Sequence, residues 1–298
     1  VVALPTSIRS RAVTIVTWLN LIVQIGIVGT GGLVRLTASG LGCPTWPKCT
    51  EDSFISTPEM GIHGLIEFGN RLLTFVVLAV CVAQLVVLWA MRRSRRTEWR
   101  LALGLAIGIP VQAIIGGISV WTQLNPYVVG LHFIVSAIMV TLATLLLCRV
   151  LTIETPPRLG TVDPLSWVIF ALTAVVVMVG VLTTGSGPHA GDADAPRNGL
   201  DSELLQHFHA WPAYGTTAVV LFAVFVSTGR ARRAWLFVLG GFGAQMALGI
   251  WQSRTGLPVE LVGIHVVLSM VVVSLVTRAI YIRAMSGSSA TATNNTVK

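Results

Sequence analysis

The sequence predicts an all-α integral membrane protein whose eight transmembrane helices form two tandem, parallel four-helix bundles. Three observations predict it. The 298 residues are 54% hydrophobic and 11% charged, against about 25% charged in soluble domains, and the mean hydropathy is +0.79. Eight continuous apolar runs are each long enough to cross a hydrocarbon core, which takes roughly 17 to 25 helical residues. They do not alternate as the strands of a membrane β-barrel do. Finally, residues 128–142, VVGLHFIVSAIMVTL, recur as 261–275, LVGIHVVLSMVVVSL, with His132 over His265 and Ser136 over Ser269. At the same offset Gln112 lies over Gln245.

In chain order, residues 1–12 read as a cytoplasmic N-terminal arm. The first helix, near 13–34, doubles as an uncleaved signal anchor, because no small-residue cleavage pattern follows it. An outer loop, 35–62, then carries Cys43 and Cys49. Helices near 63–90, 101–121 and 128–150 complete an N-terminal bundle spanning 13–151, and a cytoplasmic linker covers 152–163. The C-terminal bundle, 164–285, contains helices near 164–184, 202–227, 233–252 and 259–283. The Ser-, Gly-, Thr- and Asn-rich residues 286–298 read as a disordered tail. The duplication extends beyond the His-bearing helices. LTTGSGP after the fifth helix echoes LTASGLGCP after the first, and aligning LLQHFHAW with LIEFGNRL places Gln206 over Glu67 and His209 over Asn70. Each half has an even number of helices, so the repeats are parallel rather than inverted.

The net charge of +8 is a topology signal rather than a nucleic-acid footprint. Arg92, Arg93, Arg95, Arg96 and Arg100 fall between helices two and three, and Arg230, Arg232 and Arg233 between six and seven. Arg9, Arg11, Arg149, Arg158, Arg278, Arg283 and Lys298 lie on the same side. The positive-inside rule makes that side, and both termini, cytoplasmic.

Cys43 and Cys49 lie on the oxidising side, with Pro44 and Pro47 restricting the loop between them, and read as a disulfide that is either a structural staple or a redox pair. Their spacing is not CxxC. Cys81 and Cys148 sit inside apolar helices as packing residues. Glu67 lies inside an apolar run, where an acid marks a functional site by default. Its structural alternative is an i,i+4 ion pair with Arg71.

His132, His209 and His265 enter their helices from the outer side and share one layer roughly 6–10 Å below the outer boundary. A lone buried histidine is more often satisfied by a carbonyl or a Ser. Imidazoles at matched depth on facing helices are instead suited to axial ligation of a haem. His209 with His265 meets that requirement in the C-terminal half. In the N-terminal half Asn70 replaces the second histidine, so His132 stands alone, with Glu67 one turn from Asn70. Zinc is disfavoured, since neither half groups three or four suitable ligands. His63 and His207 are shallower and His189 is in an outer loop, which makes them weaker candidates.

The tandem repeat, the GLGCPTWPKC loop, the IEFGNR opening of the second helix and the histidines of helices four, six and eight together resemble haem A synthase, across nearly all of residues 13–283. The resemblance implies oxidation of the C8 methyl of haem O to a formyl group, giving haem A for cytochrome oxidase. It implies haem b on His209 and His265, and haem O as substrate in the N-terminal half, with His132 as ligand and Glu67 as the essential, proton-handling acid. Cys43 and Cys49 match the outer-loop pair of many members. The family commonly has a histidine at Asn70, so the substrate iron is expected on His132 alone, with His63 about 10 Å further along the helix as the alternative. Arg35 and Arg71 are candidates for a propionate. The implied setting is the plasma membrane and its lipid, with haem O synthase, cytochrome oxidase assembly and an electron donor as partners. A homo-oligomer is compatible with this, and nucleic acid is not. Two rival readings are a non-enzymatic di-haem b-type electron carrier and a haem chaperone or transporter.

Overall fold

Eight long helices make up the computed structural model, which describes residues 7–8, 10–152 and 162–295, the last nine as backbone only. They are α1 (Arg11–Leu36), α2 (Gly61–Leu88), α3 (Arg96–Trp121), α4 (Pro126–Leu151), α5 (Pro164–Ser186), α6 (Ser202–Val226), α7 (Gly229–Arg254) and α8 (Val259–Asn295). All eight are long and apolar enough to cross a membrane, and no strand occurs among the described residues. Parts of the expected arm, linker and tail, residues 1–6, 9, 153–161 and 296–298, lie outside the described residues. One expectation changes: α8 continues to Asn295 through residues whose composition predicts a disordered tail. Extending an existing long helix adds one hydrogen bond per residue without a new nucleus, so polar composition alone does not stop it.

The helix starts are set by local chemistry. Ser10 accepts from the Val13 N–H, Asn125 from Tyr127 and Asp201 from Leu204. Pro126 and Pro164 occupy first-turn positions where the missing N–H costs nothing. Lipid-side positions are large and apolar, as at Ile22, Phe75, Ile107, Ile138, Phe222 and Phe225, all more than half exposed. Buried apolar residues form a main core in each half and a small cluster of Leu124, Ala190 and Ala195 between them. Leu21, Val77, Leu105 and Val140 belong to the first, and Val220, Trp235 and Val238 to the second. Met270 and Val273 of α8 join the first core, so the halves share a packed seam.

In each half consecutive helices pack against one another, and the halves meet through α1 and α4 against α8, and through α4 and α5. Polar ties cross this seam. Thr144 donates to Ser274 at 2.9 Å, Arg35 donates to the carbonyls of His189 (2.6 Å) and Thr184 (2.7 Å), and the Gly40 N–H donates to Gly191 at 2.7 Å. At the opposite, basic end, a buried Glu98 pairs with Arg149 at 3.1 Å.

Asp163 caps α5 there, accepting from the Ser166 N–H and hydroxyl and from Arg283 Nε at 2.8 Å, while Arg283 also donates to Ser227 at the end of α6. Partial burial raises the Asp163 proton affinity, but the hydrogen bonds from Arg283 and Ser166 and the Arg283 charge outweigh it and hold the carboxyl below its ordinary value. Because the folded value is the lower one, the charge adds stability above the ordinary aspartate range, and that contribution disappears as pH falls through the folded value. Asp163→Asn keeps a capping oxygen and is expected to cost at most about 1 kcal/mol near neutral pH, since the pair is partly exposed. Thermal midpoints of the purified protein should converge with wild type on acidification. A gap that persists in acid removes this account.

Candidate functional site

The His-bearing helices place their rings at matched depth. His132, His209 and His265 lie six, seven and six residues beyond the first residues of α4, α6 and α8, or about 9 to 11 Å along each axis. The repeat is visible in hydrogen bonds. Gln112 Nε2 donates to the His132 carbonyl at 3.1 Å, and Gln245 Nε2 donates to the His265 carbonyl at 3.1 Å. In the first half this link is doubled, because Gln112 also reaches Ser136 Oγ at 2.6 Å and Ser136 reaches the His132 carbonyl at 3.0 Å. Ser269 turns to Val266 instead. Gly116 and Gly249 present their bare Cα to His132 and His265 at corresponding places. Both rings have a buried Nδ1 with no partner among the described residues.

His209 is held differently. Its Nδ1 lies 3.1 Å from the Val176 carbonyl of α5. A carbonyl only accepts, so Nδ1 carries the proton and Nε2 keeps its lone pair for a metal. Gly180 makes this possible, since a Cβ there would sit 2.8 Å from His209 Cε1. The His209 and His265 ring centroids are 6.3 Å apart. With metal–nitrogen bonds of about 2 Å, two imidazoles on opposite sides of one ion have centroids roughly 6 Å apart. The donor set at that point is two imidazoles, which suits a metal that brings its equatorial ligands with it, as a porphyrin does.

The equivalent place in the first half lacks this pair. Asn70 Oδ1 accepts from the Thr30 hydroxyl of α1 at 2.8 Å, so Asn70 is tied to its neighbouring helix. Thr30 has no obvious signal in the sequence beyond being a hydroxyl inside an apolar run. His63 Nδ1 lies 3.0 Å from Ser39 Oγ, which ties His63 to the loop after α1. His207 is exposed, with its ring 6.4 Å from Trp211.

Glu67 and Arg71 form the i,i+4 pair, and it is part of a larger network. Arg71 Nη2 and Nε donate to Glu67 Oε1 at 2.5 and 3.2 Å. Its remaining N–H groups donate to the carbonyls of Cys43, Thr45 and Lys48. All five guanidinium donors are thereby used within the protein. Glu67 Oε2 accepts from the Cys43 N–H at 2.5 Å, and Glu67 is only 6% exposed. Cys43 and Cys49 are disulfide-bonded. Sequence reasoning placed the acid and the cysteines separately; the fold makes them one unit.

The same loop reaches the third helix. Trp46 lies against Gly117, where a Cβ would approach the indole to 2.4 Å, and Trp121 Nε1 donates to the Trp46 carbonyl at 3.1 Å. Gly117 adjoins Gly116, which faces His132. The disulfide loop thus runs from Glu67 on α2 to the stretch of α3 that backs His132.

The chain is similar in sequence to known proteins along most of its length. The chain is 29% identical to the Heme A synthase of Bacillus pumilus (strain SAFR-032), covering 75% of this chain and 71% of the relative. It is 27% identical to the Heme A synthase of Methylobacterium radiotolerans, covering 90% and 89%. Over a shorter region, 44% of this chain and 41% of the relative, it is 32% identical to the Heme A synthase of Geobacillus kaustophilus. Residues 14–277 match the COX15-CtaA family, described as cytochrome oxidase assembly protein, and the chain belongs to that family.

Proposed function

We propose that this protein is a haem A synthase, which oxidises the C8 methyl of haem O to a formyl group and so supplies haem A for cytochrome oxidase. Family membership and the names of its relatives support the reaction class. The observation that carries the division of labour is the inequality of the halves: two imidazoles 6.3 Å apart in one, and in the other an Asn70 bonded to Thr30 at the place that corresponds to His209. His209 and His265 would hold haem b. When bound, that group supplies one-electron transfer. The Val176 carbonyl holds the His209 ring, and Gln245 holds the His265 backbone, before it arrives.

His132 would be the protein ligand of the haem O substrate, anchored through the backbone by Gln112 and Ser136. Glu67 is the proton-handling group of that half. Both its oxygens accept hydrogen bonds, and each keeps acceptor capacity, so a proton taken up at Oε2 weakens the bonds that Glu67 accepts from Arg71 and the Cys43 N–H. Arg71 and Arg35 act as positioning residues, since their observed bonds go to Glu67 and to backbone carbonyls. By the positive-inside rule the basic end is cytoplasmic and the ligand layer lies towards the outer face of the cell membrane.

The test is co-expression with haem O synthase in a host lacking haem A, followed by extraction and chromatography of the haems. A formyl haem supports the enzyme, haem b alone supports the di-haem carrier, and unmodified haem O supports the chaperone. A single ligand in the substrate half makes a further prediction. Asn70→Ala removes the Thr30 bond, which costs about 1 kcal/mol, and should retain most haem A formation, whereas His132→Ala should abolish it. Equal losses in the two variants would show that Asn70 has a share in holding the iron.

A further inference from the structure

The seam between α1 and α2 carries a second buried polar group that neither haem site uses. Asn20 and Gln24 of α1 and Cys81 and Gln84 of α2 are each no more than 3% exposed. Asn20 Oδ1 lies 3.5 Å from Gln24 Nε2 and 3.8 Å from Cys81 Sγ, and Gln24 Nε2 lies 3.6 Å from that sulfur. Three side chains from two helices therefore meet, with the amide–amide separation long for an N–H···O bond. Gln84 follows Cys81 by one turn on the same face of α2. Asn20 Nδ2 and both amide atoms of Gln84 have no hydrogen-bond partner among the described residues. Buried apolar residues close the group off, with Val28 and Val77 on the loop side and Val13 and Leu88 on the basic side.

The fold itself does not require polarity here. In the register that places Asn70 over His209, Cys81 falls over Val220 and Gln84 over Ala223. Both are fully buried, in one apolar cluster with Ile169 of α5. Only the N-terminal half keeps amides in this position, where an unpaired polar atom is expensive. The chemistry of the unpartnered atoms selects the occupant. Two are N–H donors and one is an oxygen, and no carboxylate is present, which is unsuited to a cation and suited to a molecule that both donates and accepts. A buried water typically makes about three hydrogen bonds, and Asn20 Nδ2, Gln84 Nε2 and Gln84 Oε1 offer that number beside the thiol.

We propose that the α1–α2 seam is an internal water site, with water bound among Asn20, Gln24, Cys81 and Gln84 in the membrane interior of the N-terminal half. It gives that half a proton-exchanging site that its repeat lacks, and it holds whichever haem reading of the bundle is correct.

Cys81 is a built-in reporter. With Cys43 and Cys49 disulfide-bonded, Cys148→Ala leaves Cys81 as the remaining thiol. Its S–H stretching band is followed by infrared spectroscopy of the full-length, haem-loaded protein in lipid nanodiscs after transfer to D2O. The band is expected to convert to S–D within minutes, and about tenfold or more slowly when Gln84→Met removes the amide without shortening the side chain. A band that persists after the outer-loop amides have exchanged overturns the proposal. So does an unchanged rate in Gln84→Met, because exchange would then report opening of the whole bundle. Asn20→Leu provides a second variant should Gln84→Met fail to retain its haem, and the same slowing is required of it.

Discussion

Glu67→Gln is expected to lower haem A yield by on the order of 100-fold or more, the range by which a positioned proton-transfer group acts, while haem b in the C-terminal half is retained. The carboxylate accepts at both oxygens, from Arg71 on one and from the Cys43 N–H on the other. An amide must turn its NH2 towards one of these donors, so one bond becomes a donor–donor contact whichever way it lies. Arg71 also loses its counter-charge. Its side chain is 20% exposed, so the stability cost should be about 2 kcal/mol, below the 3–5 kcal/mol of a fully buried broken pair. Glu67→Asp separates the two roles. It keeps a carboxylate but withdraws it from Cys43 and Arg71, and it should recover little activity if the loop must be held. Extracted haems measured against total haem decide the matter, and an unchanged haem A fraction in Glu67→Gln would sink the assignment.

His265→Ala should reduce bound haem b at least about tenfold, since disturbing even an outer-shell partner of a metal ligand costs 10- to 100-fold in affinity. The loss is expected to be specific to one half. His209 keeps its bond to the Val176 carbonyl but has no imidazole facing it, whereas the Gln112–His132–Ser136 bonds of the other half are untouched. Reduced-minus-oxidised spectra of membranes, with protein amount checked by immunoblot, provide the readout. A full haem b spectrum in His265→Ala would remove the ligand pair and leave the electron-relay role without a site.

Much of this arrangement is legible in the chain because it rests on short-range rules. The repeat at 128–142 and 261–275 carries a matched Gln–His carbonyl bond into the structure, with Gln112 and Gln245 at the same 3.1 Å from their partners. The spans predicted from apolar runs lie within a few residues of the observed helices, except where α8 runs on to Asn295. The candidate site was less legible. Arg35 and Arg71 read as candidates for a propionate, yet Arg71 bonds the carbonyls of Thr45 and Cys43, 26 and 28 residues away, and Arg35 bonds that of His189, 154 residues away, pairings that periodicity does not encode. Thr30 and Trp46 carried no signal as single residues, since one hydroxyl and one indole gain meaning only from what faces them.

By itself the sequence determined the class of protein, its eight spans, the parallel duplication and the shared depth of His132, His209 and His265. These follow from hydrophobic length and helical rise, which act along the chain. Tertiary structure alone decided how closely the His209 and His265 rings approach, that Asn70 is committed to Thr30, and that Glu67, Arg71 and the Cys43–Cys49 loop are one hydrogen-bonded unit. Hydrogen bonds are short and directional. Which donor meets which acceptor depends on how helices rotate and pack against one another, and no spacing along a single chain contains that rotation.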